Sequence, residues 1–391
     1  MHDTATPALS RRDLLDRLRL IRSENVGPVT FRHLLARYGD AGAALDALPD
    51  LARRGGRKRP IKICAKAAAE RELARIEDLG VEVLALDGPG YPPALAAIED
   101  APPLLFLRGS RHLLERPVVA MVGARNASAN GRRLARDLAR DLAARGYLVV
   151  SGLARGIDTA AHEGALNDGT AAVVAGGVDV IYPQENTDLY HEIATRGAVV
   201  AENPPGMTPQ ARHFPQRNRL ISGLAQGVLV VEAALRSGSL ITARLAGEQG
   251  REVMAVPGSP TDPRAAGCNR LIKQGAAMIE TVGDAVEVLN QSRRLQDAEG
   301  AAEGTVPAFR PGGNGTVEPL PAARETVAEL LGPSPVPVDE IIRECHFSPA
   351  VVTTVLLELE LAGRCERLPG NQVVAVASDK PVAGGDSDGR P

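Results

Sequence analysis

The sequence contains few cysteines, few aromatic residues and no long hydrophobic run, and each shortage excludes a class of protein. Its four cysteines in 391 residues form no Cys-x-x-Cys pair and no Cys/His spacing for zinc, so we expect reduced, structural thiols. Aromatic residues make up 3% of the chain and tryptophan is absent, which excludes a long base-stacking platform. No run is long enough to span a bilayer and the N-terminus shows no signal-peptide pattern, so we expect no membrane contact and a cytoplasmic location.

The overall charge limits how the chain could bind a polyanion. Its formal net charge is −3, whereas domains that bind nucleic acid are usually basic. A nucleic-acid surface would therefore have to be local, with positive residues clustered on one face. The length predicts two or three domains, and 44% hydrophobic with 24% charged residues is typical of globular proteins.

Residues 1–90 are predicted to form a helical module of the helix-hairpin-helix or SAM-like kind. Ser10 can cap a helix that begins at Arg11, Gly27 and Pro28 form a turn, and the next helix ends near Gly39. Such hairpins bind DNA phosphates in some proteins and only pack against neighbours in others, and both interpretations stay open. A basic run over residues 53–66 is either a solvated loop or an accessory to DNA binding.

Residues 91–290 alternate short apolar runs with amphipathic helical segments. Each run is continuous, rich in β-branched residues and ends in glycine or a polar residue, as strands buried on both faces do. The pattern predicts an α/β domain with an extended, Rossmann-like, doubly wound and mostly parallel sheet. The runs cover residues 118–123, 147–152, 171–177, 198–203, 227–232, 252–258 and 276–279.

The remaining sequence divides into a linker, a small domain and a tail. Residues 291–321 are rich in glycine, alanine and proline without periodicity, which is typical of a linker. Residues 322–377 contain three helical patterns followed by two strands around a Pro369-Gly370-Asn371 turn, the outline of a winged helix. Its last two helices are acidic, which argues against reading a major groove. Residues 378–391 are predicted to be a disordered tail.

Ligands of parallel α/β sheets bind in the loops that follow the strands. In the first such loop, Gly123 precedes a helix start and Arg125, which together predict an anion site. Further loops bring more glycines, arginines and hydroxyl groups that could approach phosphates closely. These candidates are Ser151, Gly152, Arg155, Gly176, Gly177, Gly238 and Ser239.

One more loop combines an aromatic side chain with positive charge. Phe214 is followed by Arg217, Asn218 and Arg219 in the segment HFPQRNRLISGL. An aromatic ring beside guanidinium groups is suited to hold the bases and backbone of a single strand, although phenylalanine is more often buried than stacked.

No catalytic constellation is recognisable in the sequence. The GxSxG elbow, the P-loop pattern and metal-ligand clusters are missing, so we expect no catalytic residues, no metal and no cofactor. Glu232 could act as an acid or base, but we interpret it as a carboxylate that accepts hydrogen bonds from loop N–H groups. Asp158 is interpreted as a capping residue, and His162 as a packed or exposed side chain.

In this order, the central motifs resemble the DNA-processing protein A (DprA/Smf) family. They are VGARNAS, SGLARGIDTAAH, AGGVDVIYPQEN, HFPQRNRLISGL, EAALRSGSLITARLAGEQGREVMAVPG and GCNRLIKQGA. The resemblance implies a homodimer that binds single-stranded DNA without sequence specificity. It also implies loading of RecA onto that DNA during DNA uptake and recombination.

The resemblance also assigns residues. It implies DNA contacts by Arg125, Phe214, Arg217 and Arg219. Arg212 and Gln184 stand where relatives often carry lysine, which puts lysine-dependent contacts at those places in doubt.

Two alternatives come from other classes of protein. A nucleotide-monophosphate hydrolase of the lysine-decarboxylase-like group has a related sheet but carries PGGxGTxxE, which is absent at the comparable loop, EAALRSGSLITA. A scaffold for protein partners would show no binding of a poly-dT oligonucleotide.

Overall fold

A computed structural model describes residues 9–302, 321–368 and 370–376. The α-helices in these ranges are α1 (Arg11–Ile21), α2 (Pro28–Tyr38), α3 (Ala41–Arg54), α4 (Lys66–Asp78), α5 (Pro93–Ala96), α6 (Ala129–Ala144), α7 (Ile157–Ala165), α8 (Thr187–Arg196), α9 (His213–Leu224), α10 (Ser239–Glu248), α11 (Ala266–Lys273), α12 (Val282–Ala302), α13 (Pro321–Leu330), α14 (Val338–Cys345) and α15 (Pro349–Leu361). Within the same ranges, no helix is both long enough and apolar enough to cross a membrane.

The strands form a large sheet and a small one. They are β1 (Glu82–Ala85), β2 (Leu104–Gly109), β3 (Val118–Val122), β4 (Leu148–Ser151), β5 (Thr170–Val173), β6 (Ala198–Ala201), β7 (Gly227–Val230), β8 (Glu252–Ala255), β9 (Ala277–Met278), β10 (Val336–Pro337), β11 (Cys365–Leu368) and β12 (Gln372–Ala375). The large sheet has the order β1-β2-β6-β5-β4-β3-β7-β8-β9, and the small one β10-β12-β11.

The seven apolar runs of the sequence become the parallel strands β3 to β9. Ala120 of β3 aligns with Val150 of β4 on one side and with Val228 of β7 on the other. Successive residues of β3 enter two separate cores, Val119 on one face of the sheet and Ala120 on the other. Helices therefore cover both faces, and the predicted doubly wound, mostly parallel α/β fold is confirmed.

The sheet also has two strands that the sequence pattern did not reveal. β1 pairs antiparallel with β2, and β2 pairs antiparallel with β6, so they extend one edge of the parallel sheet. Residues 82–85, which were expected to belong to the N-terminal helical module, thus contribute to the sheet. Their segment, EVLA, is too short and too polar to give the continuous apolar run of a central strand.

The chain divides into two compact units. Among the described residues, the central unit comprises 9–15 and 66–302, and the terminal unit comprises 16–65, 321–368 and 370–376. The terminal unit therefore combines helices from the start of the chain with the small domain near its end. Its core includes Phe31 and Leu48 from the N-terminal helices together with Leu361 of α15.

The terminal unit contains both predicted supersecondary motifs. α2 begins with Pro28 at its first turn and ends at Gly39, whose φ of 85° is a conformation that favours glycine. Helices α13, α14 and α15 precede the strand pair β11 and β12, and β10, between α13 and α14, adds a third strand beside β12, so the winged-helix outline is confirmed.

The linker begins later in the chain than the sequence pattern indicates. Helix α12 continues through residues 291–302, which were expected to be a structureless linker. Those residues include good helix formers such as glutamine, arginine, leucine and alanine. Residues 303–320 of the expected linker, and the expected tail over residues 378–391, lie outside the described ranges.

Candidate functional site

An exposed group of one arginine and two aromatic rings lies at the carboxyl edge of the large sheet. Arg125 follows β3, Tyr182 follows β5 and Phe214 lies in the first turn of α9. The Cζ atom of Arg125 is 5.6 Å from the centre of the Phe214 ring. The Phe214 and Tyr182 ring centres are 5.5 Å apart, with the planes inclined at 55°. We call these three residues the stacking cluster.

The two rings of the stacking cluster are exposed to solvent to different extents. Tyr182 is 52% exposed and Phe214 is half-buried, although the chain has few aromatic residues in total. A cation over a ring and a tilted ring pair are attractive arrangements that fix the three side chains relative to one another. Because the ring faces are apolar and the guanidinium is charged, the cluster can stack on a flat heterocycle and pair with an anion at the same time.

Two further arginines are accessible at loops of the same domain. Arg155 is exposed and pairs with Glu185 at 3.6 Å, with both side chains more than half exposed. Such a solvent-exposed pair contributes little stability, so Arg155 can exchange its partner for a phosphate. Arg212 precedes α9 and is also exposed, with its Nε 3.4 Å from Nε2 of His213.

Arg217 has a structural position that the sequence did not reveal. It is 7% exposed, and its guanidinium donates hydrogen bonds to the carbonyl oxygens of Gly152, at 2.6 Å, and Val173. Burial lowers the pKa of Arg217 to about 10, with the nearby Asp158 opposing that change. The side chain is therefore charged at neutral pH and joins two strand ends inside the protein. Its buried position gives the expected direct contact with DNA no support, and that contact stays a prediction.

Arg219 is buried in the same way. Its Nη2 donates to both carboxylate oxygens of Glu202 at 2.6 Å, Nη1 donates to the Asp100 carbonyl, and Nε lies 3.3 Å from the Asp100 carboxylate. The side chain is only 10% exposed. The guanidinium is already paired with acidic partners, and the expected strand contact stays a prediction here too.

Ser151 and Gly152 are buried under these groups. The Ser151 hydroxyl donates to the Met121 carbonyl at 2.6 Å. A Cβ atom at position 152 would lie 2.4 Å from Nη1 of Arg217, so glycine is needed there for the arginine and not for a phosphate. The phosphate approach expected at Ser151 and Gly152 stays a prediction.

Gly176 and Gly177 are also buried, and their space is filled by the chain itself. A Cβ atom would lie 2.6 Å from the Met207 carbonyl oxygen at position 176, and 2.5 Å from the Pro204 carbonyl oxygen at position 177. These glycines admit a neighbouring loop to the strand end. The expected phosphate approach stays a prediction at both positions.

The start of α6 is capped by protein groups. Glu232 accepts hydrogen bonds from the Ser128 backbone N–H at 2.9 Å and from the Ser128 hydroxyl at 2.5 Å, and the same hydroxyl accepts from the N–H of Gly131. The interpretation of Glu232 as a carboxylate that binds loop N–H groups is confirmed. A carboxylate of the protein thus already lies at the helix start, and Arg125 lies in the stacking cluster. The anion site expected beside Gly123 stays a prediction.

Asp158 and His162 lie inside the central unit. Asp158 accepts hydrogen bonds from the N–H groups of Gly152, at 3.1 Å, and Ala154, at 3.3 Å. Burial raises its pKa, and Arg217 opposes that rise. Burial lowers the pKa of His162 to about 3, and its Nδ1 is 2.7 Å from the Thr170 hydroxyl. His162 is thus a packed, neutral side chain.

The other predicted site residues differ in their exposure. Gly238 is exposed with open space around it, and Ser239 is buried with its hydroxyl 2.7 Å from that of Ser237. Asn218 is half-buried in α9. Their contact with DNA stays a prediction. Within the described ranges, no group of three or more His, Cys, Asp or Glu side chains could hold a metal ion.

Sequence reasoning missed Tyr182. The residue belongs to the Tyr182-Pro183 pair of a loop that drew attention only for its glycines. Its signal was the scarcity of aromatic residues, since an aromatic residue in a strand-end loop of such a chain is worth testing as a stacking residue.

Comparisons with known proteins agree with this organisation. The model of the DNA recombination-mediator protein A family matches residues 82–290. The chain belongs to this family. A DprA-like N-terminal HHH domain matches residues 11–74 and a DprA winged helix domain matches residues 314–371.

Individual relatives cover most of the chain. Protein Smf of Escherichia coli is 40% identical over 311 residues, which are 79% of this chain and 81% of that protein. The crystal structure of DNA processing protein A from Streptococcus pneumoniae has a TM-score of 0.59 at 35% identity, covering 72% of this chain and 98% of that one. DNA processing protein A from Helicobacter pylori, whose structure is described for its single-stranded DNA binding mode, has a TM-score of 0.50 at 31% identity and covers 54% and 96%.

Proposed function

We propose that this protein binds single-stranded DNA without sequence specificity. The stacking cluster carries the proposal, because Arg125, Tyr182 and Phe214 combine exposed ring faces with a positive charge. Every base has a ring face, so stacking tolerates any sequence, whereas paired bases in a duplex already stack on one another. The relative from Helicobacter pylori, described for single-stranded DNA binding, supports the same substrate.

The backbone of the strand would be held by the accessible cations of the central unit. Arg155 and Arg212 are exposed, and Arg125 can hold a phosphate in a bidentate fork while its Cζ stays over the ring of Phe214. Asn218, Gly238 and Ser239 are candidate polar contacts farther along the strand. Binding through few phosphates predicts a measurable weakening with salt.

The role we propose is that of a mediator without catalytic activity. Both oxygens of Glu232 are engaged at the start of α6, so the residue most suited to acid–base chemistry serves as a cap. The protein would load RecA onto the bound strand during recombination and DNA uptake, as its family name indicates for recombination. It would act as a homodimer through the region 271–288, where Met278 at the edge of the sheet is 51% exposed.

Fluorescence anisotropy with a poly-dT oligonucleotide tests the proposal. We expect tighter binding to the single strand than to a duplex of equal length, little dependence on base sequence and weaker binding as salt rises. The matched variants are Arg125→Ala in the stacking cluster and Arg145→Ala, an exposed arginine directly after α6.

Equal or tighter binding to the duplex would contradict the proposal. So would an equal loss in Arg125→Ala and Arg145→Ala, because a purely electrostatic surface would respond to either charge. Release of free base or ribose phosphate from nucleoside monophosphates would instead support the hydrolase alternative.

A further inference from the structure

Helix α15 lacks a polar face. Its sequence, PAVVTTVLLELEL, contains no lysine, arginine, asparagine or glutamine. Both of its glutamates are paired inside the terminal unit: Glu358 with Arg324 at 2.6 Å, and Glu360 with Arg367 at 3.4 Å. A helix that is apolar on all sides must be covered on all sides. The winged-helix core alone covers one side.

The other side of α15 is covered by the N-terminal helices. Val352, Val355 and Leu356 belong to the core of the winged-helix domain. Leu357 and Leu361 belong instead to the core formed by the N-terminal helices, which includes Phe31, Leu34, Leu45, Leu48 and Leu51. One helix therefore completes two hydrophobic cores that are separated by hundreds of residues in sequence.

Polar contacts fix the register of this interface. Nδ2 of Asn25, in the hairpin between α1 and α2, donates to the Leu361 carbonyl at 3.2 Å. Nη1 of Arg37 lies 3.2 Å from the Thr354 hydroxyl. Arg364 donates to the Gly55 carbonyl at 3.4 Å. The hairpin that could bind phosphate and the helix that could read a groove thus contact each other.

At Gly55, directly after α3, the absence of a side chain lets α15 approach closely. Its φ of −69° and ψ of −2° are open to any residue, so its backbone conformation does not require glycine. A Cβ atom at position 55 would, however, lie 2.0 Å from the carbonyl oxygen of Glu358 and 2.8 Å from Cβ of Ala362. The close approach of α15 is the contact that requires the missing side chain.

We propose that the winged-helix domain of this protein binds its own N-terminal helices and acts as an intramolecular clamp, with α15 as the clamping surface. In helix-turn-helix proteins the second helix of the motif enters the major groove, and α15 holds that place after α14. Here its surface is apolar and covered, so the domain contributes to folding of the terminal unit and not to reading of DNA.

Hydrogen exchange of the full-length protein tests the clamp. In the wild type, the amides of α2, α3 and α15 should open together with one common rate, separate from those of β3 to β8. Gly55→Ala should raise exchange in α3 and α15 together by about tenfold or more. The control Gly332→Ala, in the same unit, brings its Cβ no closer than 3.9 Å to another atom and should leave both helices unchanged.

The same variants are then measured for DNA binding. We expect Gly55→Ala to bind poly-dT within about twofold of the wild type, and to bind duplex no better. Independent opening of α3 and α15 in the wild type would overturn the clamp, even if Gly55→Ala does not fold. A tenfold gain in duplex binding by Gly55→Ala would also overturn it, because α15 would then be a DNA reader that the N-terminal helices restrain.

Discussion

Replacement of Arg217 by methionine separates a structural arginine from a DNA-binding one. The variant loses the hydrogen bonds to the Gly152 and Val173 carbonyls and leaves Asp158 without its nearby positive charge. Removing one partner of a buried charged pair costs about 3–5 kcal/mol. That is a large fraction of the roughly 5–15 kcal/mol by which a domain is stable. We therefore expect a clearly lower midpoint of unfolding for the central unit.

The loss of stability in Arg217→Met should depend on pH. Burial raises the pKa of Asp158, and Arg217 opposes that rise, so the pKa rises further in Arg217→Met. The folded variant then binds a proton more tightly than the unfolded chain, and its stability increases as pH falls. The difference in stability from the wild type should therefore shrink on acidification from neutral pH.

Urea unfolding followed by circular dichroism, at neutral and at mildly acidic pH, measures both effects. Arg145→Met is the matched control, since it removes an exposed guanidinium and should change stability by no more than about 0.5 kcal/mol. The reasoning is refuted if Arg217→Met unfolds like the wild type but no longer binds poly-dT. In that event Arg217 would face the strand.

Three further predictions concern the site and the packed histidine. Arg125→Ala should weaken poly-dT binding by about 1.5–3 kcal/mol, roughly tenfold or more, at unchanged stability, and unchanged affinity in anisotropy would refute this. Phe214→Ala and Tyr182→Ala should each cost about 1–3 kcal/mol of binding if each ring stacks on one base, with Phe214→Tyr as the variant expected to retain affinity. Burial lowers the pKa of His162 to about 3, so below pH 6.5 this histidine takes up a proton in the unfolded chain while it stays neutral in the folded protein. Acidification should therefore lower the free energy of unfolding, and His162→Gln should lessen that decline in urea titrations.

The parallel sheet could be predicted because burial on both faces leaves a continuous apolar run in the sequence. The same logic failed at β1, where a short edge strand with glutamate needs no such run. The end of α12 was missed for a related reason, since local composition does not show where a helix beyond the core stops.

The candidate site could be located from the sequence only in part. Arg125 and Phe214 were found because strand-end loops meet at one edge of a parallel sheet. In sequence, Arg217 and Arg219 look the same as a pair of DNA-binding arginines. Only the fold shows that Arg217 binds the Gly152 carbonyl and that Arg219 binds Glu202. Gly176 and Gly177 show the same limit, because a glycine that admits a ligand and one that admits the chain itself are alike in sequence.

The discontinuity of the terminal unit has a consequence for how the chain is made. The N-terminal helices leave the ribosome early, but Leu357 and Leu361, which complete their core, are synthesised about 300 residues later. At the usual pace of bacterial or eukaryotic translation, that interval is on the order of 15–60 s. During it, the apolar surface of the N-terminal helices that α15 later covers has no partner from its own chain and is open to aggregation or to a chaperone. The N-terminal helices are therefore protected from aggregation only once α15 has been synthesised and has packed against them.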